Sequence, residues 1–176
     1  GLEVACGGRL RGGRRGVLAG VDQPDPLDGP YFEETLYVTP SRLPTGVLTE
    51  VEALTGRAAR ALGLREGPVH AELRVDGECV SVLELAARSI GGLCSRILRF
   101  GAGTVSLEEL ILSHAVGHPL PYAPDPRARG VMSIPLPGAG GVGSGQGPEG
   151  ARRRAGSGGV GTRPPRMPTS LPLSGW

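Results

Sequence analysis

The sequence predicts an α+β fold, built mainly on an antiparallel sheet with flanking helices. Three observations favour this class. Short stretches rich in β-branched and apolar residues are separated by Gly, Pro and Asp, the usual residues of turns between strands. Residues 44–62 carry apolar side chains at the three-to-four spacing of an amphipathic helix. Ser106 and Glu109 form the pattern of a capping box, which begins helices.

The first three predicted strands cover residues 2–6, 16–22 and 32–39. The Gly- and Arg-rich stretch between the first two predicts a hairpin turn. Two prolines and an Asp-Gly pair precede the third strand, and Pro40 ends it. The sequence therefore places three strands before the first helix.

The helix predicted over residues 44–62 has a charge order that suits its dipole. Glu50 and Glu52 lie in its first half, Arg57 and Arg60 in its second, and acidic residues are favoured towards the N-terminus. Gly63 ends it. The elements predicted after it are strands 68–75 and 79–86, a short helix 93–100, a helix 107–116 and a strand 130–135.

The hairpin of residues 68–86 concentrates polar side chains of chemical interest. A two-residue Asp-Gly turn would put Glu72 and Glu84 on opposite faces of the sheet. A three-residue loop, 76–78, would pair His70 with Glu84 and make the two glutamates diagonal neighbours on one face. Paired carboxylates suit a hard cation such as Mg²⁺. We expect the three-residue loop. The alternative is an exposed hairpin in which Glu72 pairs with Arg74 or with a solvated neighbour and Glu84 is an edge charge.

Composition excludes several classes of protein. No apolar run is long enough to span a membrane, and the N-terminus lacks the layout of a secretory signal. The three cysteines show no CxxC spacing, which favours reduced thiols and a cytoplasmic location. Aromatic residues make up only 3% of the chain, too few for a base-stacking surface, so a nucleic-acid partner is not favoured.

The last part of the chain differs from the rest. Residues 138–176 contain 12 Gly, 5 Pro and 5 Arg, with Glu149 as their one acidic residue. Such a segment has too little apolar surface to offset the entropy lost on ordering. We therefore predict an organised domain over residues 1–137 and a disordered tail over residues 138–176.

The organised part resembles a known family over about residues 15–137. The stretches FEETLYVTPSRLP and GPVHAELRVDGECVSVLELAARSIGG look like the C-terminal part of an ATP-grasp enzyme. The motif is a Glu on one strand, Glu-x-x-x-Arg on the next, and then glycines. The resemblance is greatest to the carboxylate–amine ligases of the amino-acid and dipeptide branch. It implies an ATP- and Mg²⁺-dependent (or Mn²⁺-dependent) enzyme with small-molecule carboxylate and amine substrates, joined through an acyl phosphate.

The resemblance also implies roles for individual residues. Glu72 and Glu84 would be the metal ligands that hold the ATP phosphates, and Arg88 would stabilise the transferring phosphoryl group. Glu34 would lie near the substrate amine.

The resemblance also implies a role for the glycine loop: Gly91 and Gly92 would bring backbone N–H groups to the substrate carboxylate.

Two features depart from the family pattern. Ala86 stands where many members have Asn, and the chain has no Lys, although members use lysines of a preceding subdomain to hold ATP. We expect the chain to be a fragment that is inactive alone.

Two alternatives stay open. The first is another ATP-grasp ligase, of the biotin-carboxylase or purine-biosynthesis type, although those more often keep the Asn that Ala86 replaces. The second is a non-catalytic truncated module with an Arg/Gly tail. The sequence does not decide the oligomeric state or the substrate pair.

Overall fold

The computed structural model describes residues 1–12, 14–25, 34–91, 93–118, 120 and 123–133. Their secondary-structure elements are β1 (Leu2–Arg11), β2 (Arg14–Gln23), β3 (Leu36–Thr39), α1 (Thr45–Ala61), β4 (Gly67–Asp76), β5 (Cys79–Ala86), α2 (Cys94–Ile97), β6 (Arg99–Phe100), β7 (Val105–Ser106), α3 (Leu107–Ala115) and β8 (Arg129–Met132).

The main sheet has six strands in the order β5-β4-β1-β2-β3-β8, and each neighbouring pair is antiparallel. Strand β1 lies inside the sheet, between its hairpin partner β2 and the later strand β4. Strands β6 and β7 form a separate two-stranded ribbon. The predicted α+β class, with an antiparallel sheet and flanking helices, is confirmed.

The two faces of the main sheet are covered by different helices. One face packs on α1, where Val51 meets Val4, Leu73 and other apolar side chains of β1 and β4. On the other face, Ala5 and Val21 pack in a cluster with residues of α2, β6 and α3. Successive residues of a strand point to opposite faces of the sheet. In β1 and β4, the residues that alternate with those packed on α1 therefore lie on the second face.

Several element bounds differ from those predicted. Strands β1 and β2 are longer than predicted and make one antiparallel hairpin, whose register shifts between Gly7 and Gly8. The helix predicted over residues 93–100 is wrong in its second half, since α2 ends at Ile97 and the chain continues as β6. The physical reason is burial: Leu98 and Phe100 are both at most 2% exposed, and an extended segment delivers them to the core. Of the strand predicted over 32–39, residues 36–39 are observed and 32–33 lie outside the described part.

The compact unit Gly1–Pro135 contains all the described residues. The predicted boundary after residue 137 and the predicted disorder of residues 138–176 lie outside them. Among the helices described, none has the length and apolar character needed to cross a membrane. No disulfide joins the three cysteines; Cys6 and Cys94 are buried, and Cys79 is exposed.

Helix α3 begins with the capping box that the sequence predicts. The Ser106 hydroxyl accepts a hydrogen bond from the Glu109 backbone N–H at 3.2 Å, and the Glu109 carboxylate accepts one from the Ser106 backbone N–H at 2.7 Å. These two bonds satisfy backbone donors that the first turn of a helix leaves without partners.

Ser106→Ala is expected to lower the free energy of unfolding by about 1 kcal/mol, because one of these donors loses its acceptor. Urea denaturation followed by circular dichroism measures the change. Ser81→Ala is the matched control, since Ser81 is exposed on β5, and it is expected to stay within about 0.5 kcal/mol of the wild type. Equal losses in both variants would contradict a capping role.

Candidate active site

A cleft of about 150 Å³ opens on the face of the sheet opposite α1. It brings together four of the residues that the sequence analysis selected: Glu34, Glu72, Arg88 and Gly91. Gly92 lies outside the described residues. The other lining residues, which the sequence analysis did not assign to the site, are Tyr37, His70 and Ile90.

Glu72 and Glu84 are directly opposite each other in the pairing of β4 with β5, so they share one face of the sheet. The predicted register is wrong in detail. Asp76 pairs with Cys79 through a two-residue turn, and Leu73 pairs with Val82. The register then shifts by one residue, which leaves Leu83 as a β-bulge. Without the bulge, Glu72 would oppose Leu83, and Glu84 would face α1.

Glu84 lies at the margin of this site. Its side chain is 58% exposed, and its carboxylate oxygen Oε1 is 3.6 Å from Nη2 of Arg88, four residues further along the chain. Arg88 also donates a hydrogen bond to the carbonyl of Ser89 at 3.1 Å and lines the cleft. The ion pair between Glu84 and Arg88 therefore connects the edge strand β5 to the segment that follows it.

His70 is buried, at 4% exposure, and its Nε2 is 3.2 Å from Oε1 of Glu72. The predicted pairing of His70 with Glu84 is wrong, because the bulge places Ala86 opposite His70. The second ring nitrogen of His70, Nδ1, is buried without a hydrogen-bond partner among the described residues. The Nε2 atom of His70 thus holds the Glu72 carboxylate in position.

Glu34 accepts hydrogen bonds from two donors. Gln23 Nε2 donates to its Oε1 at 2.9 Å, and the Tyr37 hydroxyl donates to its Oε2. Burial and this bond to the Glu34 carboxylate raise the pKa of Tyr37 well above its ordinary value. The phenol therefore stays protonated and keeps Glu34 oriented.

Two further titratable groups respond to the charge of Glu34. Burial, and then the Glu34 charge, raise the pKa of Glu72 above its ordinary value, although the contact with His70 opposes this. Burial and the same charge raise the pKa of the Cys94 thiol to about 12. Cys94 is therefore a protonated, packed thiol, which argues against a nucleophilic role.

The sequence analysis missed Glu3. Ligand oxygens of Glu3, Glu34 and Glu72 all lie within 4.8 Å of one another. The Glu3 side chain is 10% exposed, and its Oε2 accepts a hydrogen bond from Arg74 at 3.0 Å. The expected alternative partner of Glu72 is thus wrong, because Arg74 pairs with Glu3. The other part of that alternative agrees with the structure, since Glu84 is an exposed charge on the edge strand β5.

Comparisons with known proteins agree with this architecture. The family model of the ATP-grasp domain matches residues 1–97. An L-amino acid ligase from Bacillus licheniformis is 30% identical with a TM-score of 0.73, and the match covers 88% of this chain and 40% of that protein. No protein of curated function is a significant match.

Two more distant structures show the same fold. The ATPase subunit of phosphoribosylaminoimidazole carboxylase from Aquifex aeolicus is 19% identical with a TM-score of 0.57, covering 76% of this chain and 40% of that one. Biotin carboxylase from Campylobacter jejuni is 18% identical with a TM-score of 0.52, covering 68% and 26%. The chain spans less than half the length of each of these three proteins. Since the family model matches more than half of its residues, the chain belongs to the ATP-grasp domain family.

Proposed function

We propose that this chain contributes the C-terminal catalytic part of an ATP- and Mg²⁺-dependent ligase that joins a carboxylate to an amine, with an amino acid as one substrate. The observation that carries the proposal is the cleft in which Glu72 and Arg88 lie beside Glu34. Family membership supports an ATP-dependent ligase, and the likeness to an L-amino acid ligase favours the amino-acid branch.

Glu72 and Glu84 are the residues we assign to the metal. Hard divalent cations such as Mg²⁺ and Mn²⁺ take oxygen ligands, and two glutamates directly opposite each other on neighbouring strands supply them. His70 holds one oxygen of Glu72 and leaves the other for a ligand, so the residues present fit the metal. When bound, Mg²⁺ would neutralise charge on the ATP phosphates.

Arg88 is the residue we assign to the phosphoryl group. Arg88 lines the cleft and its side chain is 51% exposed, so an anion bound in the cleft can come within reach of its guanidinium. The planar guanidinium suits phosphate oxygens, because it offers several N–H donors in a fixed fork. Positioned positive charge of this kind is the main contribution that a protein makes to phosphoryl transfer.

Glu34 and the glycine segment are assigned to the substrates. Glu34 presents a carboxylate held by Gln23 and Tyr37, which suits an amino group. Gly91 lines the cleft, and with Gly92 we assign its backbone to the substrate carboxylate.

The reaction proceeds in two steps. A carboxylate oxygen of the first substrate forms a bond to the γ-phosphorus of ATP, and the bond from that phosphorus to the β–γ bridging oxygen breaks, giving an acyl phosphate and ADP. The amine nitrogen of the second substrate then bonds to the acyl carbon. Phosphate leaves with the electrons of the carbon–oxygen bond, and the nitrogen loses a proton. The protein must keep water from the acyl phosphate between these steps.

The test is nucleotide binding by the chain, measured with a fluorescent ATP analogue with and without Mg²⁺. We expect binding that depends on Mg²⁺ and that Glu84→Gln weakens by about tenfold or more, because one oxygen ligand loses its charge. The fold should be retained, since Glu84 is exposed.

Glu78→Gln is the matched control, because Glu78 lies in the exposed turn of the same hairpin. Binding without any need for Mg²⁺, or an equal loss in both variants, would contradict the metal assignment. No binding by the wild-type chain would contradict the proposal that this chain carries a nucleotide site.

A further inference from the structure

The residue that we assign to the phosphoryl group is paired with one that we assign to the metal. Nη2 of Arg88 lies 3.6 Å from Oε1 of Glu84, and both side chains are more than half exposed. That distance is too long for a hydrogen bond, so the contact is an attraction between charges alone. Ion pairs in such exposed positions are weak because water screens them. The contact between Glu84 and Arg88 therefore opens at little cost.

This ion pair leaves the Glu84 carboxylate at the margin of the cleft. Arg88 and Glu72 line the cleft, whereas Glu84 is not among the lining residues in the described part of the chain. The described carboxylates whose ligand oxygens lie within 4.8 Å of one another are those of Glu3, Glu34 and Glu72, without Glu84. The backbone nevertheless places Glu84 directly opposite Glu72 on one face of the sheet. Its position thus suits a cation shared with Glu72, while its side chain contacts Arg88.

Each member of the pair is in the way of the ligand assigned to the other. A guanidinium that stayed on Glu84 would lie beside a divalent cation bound there, and like charges at close range repel each other. A carboxylate that stayed on Arg88 would repel a bound phosphate in the same way. The second contact of Arg88, a hydrogen bond from Nη1 to the Ser89 carbonyl at 3.1 Å, involves an uncharged partner and causes no such conflict.

We infer that the ion pair between Glu84 and Arg88 closes the site while it is without ligands, and that it opens when the metal and nucleotide bind, with Glu84 turning to the cation and Arg88 to the phosphate. This inference rests on the proposed function and adds a coupling between the two ligands of that site. A cation that occupies Glu84 releases Arg88 for phosphate, and by linkage a phosphate on Arg88 favours the cation by the same factor.

The inference predicts that a variant which weakens the complete site binds one of the two ligands better. In the absence of nucleotide, Arg88→Gln should bind Mn²⁺ about two- to fivefold more tightly than the wild type, because the competing guanidinium is gone and exposed ion pairs are worth about this factor. A Mn²⁺ titration of the full chain, followed by water proton relaxation, measures the change. Weaker Mn²⁺ binding by Arg88→Gln would overturn the inference, since Arg88 would then hold Glu84 ready for the metal.

A double-variant cycle separates the ion pair from the simple loss of a positive charge. In a chain that already carries Glu84→Gln, the change Arg88→Gln should bring no gain in Mn²⁺ binding. Arg96→Gln is the matched single variant, because Arg96 is exposed on α2, which packs on the same face of the sheet, and it should give a smaller gain than Arg88→Gln. An equal gain with and without Glu84 would overturn the inference, because net charge alone would explain it.

The reciprocal measurement uses an anion without metal. Inorganic triphosphate is titrated into the full chain in the presence of a chelator, and binding is followed by nuclear magnetic resonance. Glu84→Gln should bind it about two- to fivefold more tightly than the wild type, because Arg88 no longer has a competing carboxylate. Glu78→Gln removes an exposed carboxylate from the turn of the same hairpin and should give a smaller gain. Equal gains in the two variants, or no gain in Glu84→Gln, would overturn the inference.

These outcomes are distinct from those that test the proposed function. Glu84→Gln and Arg88→Gln should both keep the fold, since both side chains are exposed, and both should weaken Mg²⁺-dependent nucleotide binding. If that binding is present in the wild type but the predicted gains are absent, the exchange of partners is wrong and the proposed function stands. Binding of neither Mn²⁺ nor triphosphate by any of these proteins would also overturn the exchange. Absence of nucleotide binding by the wild type would contradict the proposed function itself.

Discussion

Glu72→Gln is expected to weaken Mg²⁺-dependent nucleotide binding strongly. At pH 7 it is expected to leave the folded chain at least as stable as the wild type. The loss of binding should reach about 100-fold, more than for Glu84→Gln, since Glu72 lies inside the cleft and Glu84 at its margin. Gln has nearly the same shape and keeps an oxygen for His70.

The sign of the stability change follows from the pKa of Glu72. Burial and the Glu34 charge raise that pKa above its ordinary value of 4.5, so the folded chain holds this proton more tightly than the unfolded chain does. This preference stabilises the fold below pH 4.5 and is lost as the pH rises through the folded-state pKa. At pH 7 the ionised carboxylate is therefore unfavourable, and an uncharged amide avoids that penalty.

Urea denaturation of both proteins between pH 4.5 and pH 7 measures this effect. The midpoint of the wild type should fall relative to that of Glu72→Gln as the pH rises across this range. Glu78→Gln, in the exposed turn, should follow the wild type at each pH. A lower urea midpoint for Glu72→Gln than for the wild type at pH 7 would show that the Glu72 carboxylate stabilises the fold. That result would contradict our interpretation, in which the ionised carboxylate destabilises the folded chain and serves ligand binding.

The sequence predicted the two glutamates of the hairpin but not the way they meet. The spacing of the apolar residues along β5 is nevertheless a local signal of the bulge at Leu83. Val80, Val82 and Leu85 all pack towards α1, although Val82 and Leu85 are three positions apart and a regular strand would point them to opposite faces. That break in alternation is the local signal of an extra residue, and it places Glu84 with Glu72 rather than in the core.

The role of Glu3 could not be predicted from local pattern. Strand β1 is the first element of the chain, yet it lies inside the sheet and pairs with β4, so Glu3 meets Arg74 across 71 positions of sequence. Hydrophobic alternation indicates which face a residue occupies, but not which strands lie beside it. The insertion of β1 between β2 and β4 is a property of the topology, and it brings the carboxylate of Glu3 beside those of Glu34 and Glu72.

Phe100→Ala is expected to lower the free energy of unfolding by about 3–5 kcal/mol, the range found when a buried aromatic side chain is truncated. Phe100 is fully buried, in the cluster that packs α2 and α3 against the sheet. Single domains are stable by only about 5–15 kcal/mol, so this variant should lose a large share of its stability. Urea denaturation should show a lower midpoint with an unchanged slope.

The same variant links the core to the cleft. Ile90 belongs to the cluster of Phe100, Tyr37 packs against it, and both line the cleft, so a void at Phe100 removes support from the wall that holds Glu34. We expect nucleotide binding to weaken in Phe100→Ala even in conditions where the chain stays folded, and to recover largely in Phe100→Leu, which refills part of the void. Leu112→Ala, at a position on α3 that is 65% exposed, should change neither stability nor binding. Full binding by folded Phe100→Ala would mean that the cleft keeps its shape without this core, and that the strands alone hold the site.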